Sequence, residues 1–210
     1  RSIACGVSAD SATIQKAVEA NADALIVHHG IFWKRDPLYL RGTKRDKCAH
    51  LIKNDVSLLG YHLPLDAHPY LGNNWKAAQD LLWESLEPFG DIGVKGSFAA
   101  TPRDVFIKRL EEYYGHAAHV ALGGKETIQS AALISGGAYN RINDAAREGI
   151  DCFVTGNFDE PAWHAANEEG INFCALGHAA TEKIGPRALS QHIEKHLGIE
   201  CIFIDTDNPF

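Results

Sequence analysis

Three short apolar runs, each stopping at histidine, constrain this chain more than any other feature. The first is residues 22–30, ADALIVHHG, in which 24–27 read as a buried strand and His28 and His29 occupy its C-terminal tip. The second and third are residues 56–66, VSLLGYHLPLD, and 171–182, INFCALGHAATE. Each carries a histidine followed four residues later by a carboxylate: His62 and Asp66, then His178 and Glu182. The C-terminal ends of strands are where an α/β sheet offers its ligand crevice. Such a chain is expected to be an α/β protein whose strand tips deliver imidazoles and carboxylates to one rim.

Neighbouring residues on an extended strand point to opposite faces, so His28 and His29 chelate one ion poorly but suit two ions lying side by side. Buried charge is costly without partners, which makes so many strand-tip ligands hard to assign to packing. Nitrogen and carboxylate donors without a nearby thiolate suit Zn, Fe, Mn or Ni. A carboxylate such as Glu182 can bridge two ions about 3.5–4 Å apart, the arrangement of two-metal hydrolytic sites. The chemistry expected is water attack on an electrophilic carbon or phosphorus. No G-x-S-x-G element competes with it, and the turns 123–125 (GGK) and 135–137 (SGG) are neither a Walker A loop nor G-x-G-x-x-G.

The remaining chain reads as alternating strands and helices. Strands are expected at 3–7, 56–61, 119–122, 130–134, 151–155, 171–176 and 201–204. Helices are expected after Ser11, around Leu51, from 73 through Leu86, from Thr101-Pro102 to Tyr113, around Ala145, from Glu160 and around Ile193. Residues 62–69 read as an extended, proline-stiffened loop, and 88–96 as a boundary between lobes 1–90 and 91–210. Residues 32–45 form a charged aromatic loop in which Lys34, Arg35, Arg41, Lys44 and Arg45 would make an anion-attracting rim. Placing Asp23 on Asp151 aligns ADALIVHH with IDCFVTGN, which suggests an internal duplication with the site between the lobes.

Composition narrows the partners. A net charge of −7 disfavours a polyanion, so nucleic acid is not an expected partner. No apolar run approaches the roughly 20 residues that a membrane span requires. The five scattered cysteines form no C-x-x-C, which reads as a reducing, cytoplasmic setting. Arg1 already lies in strand-like sequence, so the natural protein is expected to extend upstream.

Residues 61–74 (YHLPLDAHPYLGNN), together with IVHHGIFWK and GHAATEKIGPRAL, closely resemble the Nif-three-like dinuclear metal-centre family, often described as GTP cyclohydrolase I type 2 homologues. The resemblance implies two similar α/β lobes with mixed sheets and no inserted domain. It implies two divalent ions held by His28, His29, Asp66, His178 and Glu182, with His62 close by as a catalytic, water-directing group. It further implies a homo-oligomer, a ring-shaped hexamer, and a metal-dependent hydrolase, with a phosphorylated or nucleotide substrate such as GTP. The alternative is a non-catalytic metal-binding or interaction protein. One departure stands out: members often read T-G-E where this chain has Thr155-Gly156-Asn157.

Overall fold

The computed structural model describes residues 1–210. In chain order the elements are β1 (Ser2–Ser8), α1 (Ser11–Glu19), β2 (Ala24–His29), α2 (Gly42–Lys53), β3 (Ser57–Gly60), α3 (Leu63–Ala67) and α4 (Asn73–Asp80). There follow β4 (Glu84–Phe89), β5 (Gly93–Pro102), α5 (Arg103–Tyr114), β6 (His119–Leu122) and β7 (Thr127–Ile134). After a 3-10 turn at Tyr139–Arg141 come α6 (Ile142–Arg147), β8 (Cys152–Thr155), α7 (Glu160–Glu169), β9 (Asn172–Ala175), α8 (His178–Thr181), α9 (Ile184–Leu197) and β10 (Glu200–Phe203).

Contacts divide the chain into one unit of Arg1–Leu65 with Gly185–Asp207, and another of Asp66–Ile184 with Asn208–Phe210. The division therefore falls at Leu65 and Ile184 rather than at residue 90. The reason is that α9 and β10 return to the first unit, where β10 adds to the sheet edge beside β1.

The first unit is a four-stranded sheet in the order β10-β1-β2-β3, parallel throughout. Alternation along β2 sends Leu25 and Val27 to one face and Ile26 to the other. Leu25 and Val27 pack with Ala4, Ile14, Ala17 and Leu51. Ile26 packs with Cys5 and Ile193. With helices on both faces, the strands must be apolar on both sides, which is why 24–27 is a continuous apolar run. Asp10 caps α1, its carboxylate accepting from the Thr13 N–H at 2.8 Å.

The second unit is a six-stranded mixed sheet in the order β4-β5-β7-β8-β9-β6, in which β7, β8 and β9 run parallel and the other pairings are antiparallel. Leu133, Cys152, Val154 and Cys174 face Phe106 and Leu110 of α5. Phe153, Phe173 and Ala175 face the alanines of α6 and α7. The trio β7-β8-β9 repeats β1-β2-β3 in direction and helical connection, and Asp23 and Asp151 precede the central strand of each. The likeness stops at the sheet edges, because only the second sheet adds antiparallel strands.

Three readings of the sequence are corrected. Residues 63–67 are helical, since Pro64 sits in the first turn, where its missing N–H costs nothing. The helix expected to reach Leu86 stops at Asp80, Leu82 and Ser85 take positive φ, and Glu84–Phe89 is a strand. Residues 88–96 are no linker: β4 and β5 form an antiparallel hairpin, and Pro88 is tolerated because β4 is an edge strand.

Candidate metal centre

Within the first unit, β2 and β3 place three imidazoles together. One ligand atom from each of His28, His29 and His62 lies within 4.8 Å of the others. The His28 ring centroid is 4.6 Å from that of His29 and 4.9 Å from that of His62. His28 is fully buried, and its Nδ1 lies 3.1 Å from the Tyr61 carbonyl. A carbonyl only accepts, so Nδ1 carries the proton and Nε2 keeps the lone pair that a metal needs. Strand register sets the next anchor: Ser8 of β1 stands opposite His29, and its hydroxyl is 3.0 Å from His29 Nδ1. The Trp33 indole meets the His62 ring edge-on at 5.1 Å.

The second unit supplies carboxylates. Asp66, in α3, is 3% exposed, and its Oδ1 accepts from Asn73 Nδ2 at 2.8 Å and Ser135 Oγ at 2.9 Å. Asn73 and Asn74 are fully buried at the start of α4. Asn74 Oδ1 accepts from the Ser135 N–H at 2.6 Å, while its Nδ2 donates to the Ile92 carbonyl at 2.9 Å. The two asparagines thus lock α4 to the end of β7 and aim Asp66.

Glu182 follows α8 and is 3% exposed, with Oε1 3.2 Å from His178 Nε2. The other His178 nitrogen, Nδ1, lies 3.0 Å from Asn157 Oδ1. Asn157, the departure from T-G-E, therefore orients His178 through its amide oxygen. Gly136 seats the carboxylate. Its φ is +66°, and a Cβ there would stand 2.2 Å from Glu182 Oε1. Its carbonyl accepts from the Gly156 and Asn157 N–H groups at 2.9 and 3.0 Å and from Thr155 Oγ1 at 3.1 Å. The turn at 135–137 is a scaffold for acidic side chains.

Sequence reasoning missed Ser135, Gly136, Asn73 and Asn74 as site residues. Consecutive asparagines opening a helix were a signal, although they also read as a plain cap.

The basic rim is also corrected. Lys44 lies in α2, 2.5 Å from Asp36, and that bond is the main reason the Asp36 carboxyl is held below the usual range. Arg41 covers the Tyr39 ring at 4.6 Å, and Arg45 lies 3.6 Å from Asp46. Of the five cations only Lys34 borders the cavity that also touches His28 and His62. Lys44, Arg41 and Arg45 instead meet acidic and aromatic partners on the same stretch.

The fold and these donor sets define an α/β protein with histidine and carboxylate clusters able to hold metal ions. The profile of Duf34/NIF3 (NGG1p interacting factor 3) matches residues 1–209, and the chain belongs to that family. It is similar to a protein named GTP cyclohydrolase 1 type 2 homolog from Chlamydia muridarum, with 52% identity covering 100% of this chain and 86% of the relative. It is 40% identical to the Escherichia coli K12 protein of the same name, covering 99% of this chain and 85% of the other. The solved structure of protein ybgI, described as of unknown function, superposes with a TM-score of 0.94 at 39% identity, covering 100% of this chain and 86% of that one.

Proposed function

We propose that the protein is a dinuclear metal-dependent hydrolase. His28, His29, Asp66, His178 and Glu182 would be the ligands, with Glu182 bridging and His62 guiding a water or carrying its proton. The observation that supports this best is the preparation of the donors themselves. His28 and His29 are each anchored through Nδ1, and Asp66 is aimed by Asn73 and Ser135. Anchoring of this kind fixes ring angle at both histidines and, through the Tyr61 carbonyl, the tautomer of His28, as around metal-ligating imidazoles generally. Three neutral imidazoles alone would leave two dications uncompensated, whereas Asp66 and Glu182 bring the charge that offsets them.

Bound ions of this class supply Lewis acidity and make a water a nucleophile near neutral pH. The protein's own contribution is orientation. Ser8 and the Tyr61 carbonyl hold two imidazoles, Gly136 leaves room for the Glu182 carboxylate, and Trp33 covers one side of His62. Ring opening of GTP, which the relatives' name brings forward, is the first reaction to assay.

The reading extends to a homo-oligomer, with a hexamer as the family resemblance implies, working in the cytoplasm. All five cysteines are free thiols, and no helix is long and apolar enough to cross a membrane. Elemental analysis of untagged protein, with a hydrolytic substrate panel, tests the enzyme. Two equivalents of metal with turnover that chelation abolishes are expected, and a loaded protein inert to every substrate class would sink the hydrolase. A light-scattering mass near 22.9 kDa would sink the oligomer.

A further inference from the structure

The first unit contains a cavity of about 650 Å³ that reaches the histidine cluster from the side of α2. Its size falls in the range that encloses a small organic molecule. Its walls are Ile31, Leu51, Val56 and Leu58, with Phe32 and Trp33 from the loop after β2. His28 and His62 form one boundary, and the exposed Lys34 is the one cationic side chain on its lining. No carboxylate borders it. Gly30 and Gly60 also line it, and a Cβ at Gly60 would approach the Gly30 backbone at 3.5 Å, so the wall beside His28 is bare backbone.

We infer that this cavity binds the apolar, flat body of a small monoanion, an aromatic or aliphatic carboxylate, with its charge at Lys34 and its far end toward His28 and His62. The inference rests on the hydrolase reading for its catalytic meaning and names the ligand class of that site. A substrate would be such a carboxylate that carries its hydrolysable ester or amide bond at the end toward His28 and His62. Charge complementarity carries it. Ions held by His28 would lie at the inner end of the chamber; at its outer mouth a nucleoside triphosphate would find one cation, Lys34, because Lys44 is engaged with Asp36 and Arg41 lies over Tyr39. One cation above an apolar chamber matches one negative charge on an apolar body. Burying such a body removes apolar surface from water, worth about 25 cal/mol per Å², while the exposed Lys34 keeps its own hydration. The aromatic edges of Trp33 and His62 suit a planar ring.

The probe is 2-naphthoate, compared by calorimetry with neutral 2-naphthamide and with GTP on the full protein, metal content being measured on the same samples. Cys48 provides a positional readout, because it is half-buried on the cavity wall while Cys201, equally half-buried, does not border the cavity. Naphthoate should slow alkylation of Cys48 by iodoacetamide and leave that of Cys201 unchanged. Lys34→Gln should weaken naphthoate by about fivefold, the size of one partly exposed charge pair, and leave naphthamide unaffected. GTP should not displace naphthoate. Unprotected Cys48 at millimolar naphthoate would overturn the inference. So would equal losses for acid and amide in Lys34→Gln, or displacement of naphthoate by GTP. Naphthoate binding to protein that cannot be loaded with metal would sink the dinuclear reading alone. Metal-loaded protein that ignores naphthoate would sink this inference alone.

Discussion

Gly136 and Glu182 are matched: a methyl group on the glycine would lie 2.2 Å from the glutamate Oε1, closer than any two such atoms can stand. The glycine also holds φ at +66°, a left-handed conformation that costs an L-residue about 1–2 kcal/mol. Gly136→Ala should therefore lower stability by about that amount and push the Glu182 carboxylate from its seat. Elemental analysis of the folded variant should find metal content reduced. Full loading would show that the seat is dispensable.

Ser135 acts on the other carboxylate. Its hydroxyl donates to Asp66 Oδ1, and Ser135→Ala would remove that bond while leaving the one from Asn73. Losing a hydrogen-bond partner behind a metal ligand weakens metal binding by about 10–100-fold. A competition titration against a chelator should show a loss of that order, with the Asn73→Ala variant behaving alike. Unaltered affinity in both would separate Asp66 from the metals.

Glu182→Gln keeps size and shape but removes the charge that the proposed pair of divalent cations would require. Occupancy of both ions should fall together. His62→Ala should leave most of the metal bound and abolish turnover. A Glu182→Gln protein carrying two equivalents would refute the bridge, and a metal-free His62→Ala protein would make His62 a ligand.

Asp151 anchors the second unit away from the candidate centre. It is 7% exposed, accepts from Lys125 Nζ at 2.8 Å and from the Gln129 N–H at 3.0 Å. Burial alone would raise its pKa, but the Lys125 bond and the backbone donor outweigh it, so the carboxyl is held below the ordinary range. A lowered folded pKa contributes stability at pH above the unfolded value of about 3.9, and that contribution disappears as pH falls through the folded value. Asp151→Asn should therefore cost about 2 kcal/mol in urea unfolding at pH 7 and progressively less below pH 4. An equal cost at pH 7 and pH 2.5 would mean that shape, and not charge, is what matters there.

The sequence by itself determined the strands and their tips. The runs before His28 and His178 are apolar and short because β2 and β9 are covered on both faces, and that local demand is written in consecutive residues, whereas β3 before His62 is an edge strand that packs through Leu58 and leaves Leu59 exposed. The repeated three-strand pattern was legible for the same reason. Partners distant along the chain were not legible. Ser135 meets Asp66 across 69 positions, and Ser8 meets His29 only because the β1–β2 register sets them opposite. A hydroxyl or a glycine has no periodic signature, so its role depends on what the folded backbone brings within 3 Å. The hairpin at 84–102 was hidden because Pro88 and the surrounding glycines read as a break, and only pairing with β7 shows an edge strand. The charged loop was misjudged on similar grounds: of five cations counted in sequence only Lys34 borders the cavity, and Lys44, Arg41 and Arg45 meet acidic or aromatic neighbours on the same stretch. Hydrophobic pattern is a local property that survives without coordinates, whereas the pairing of polar groups is a property of tertiary contact alone.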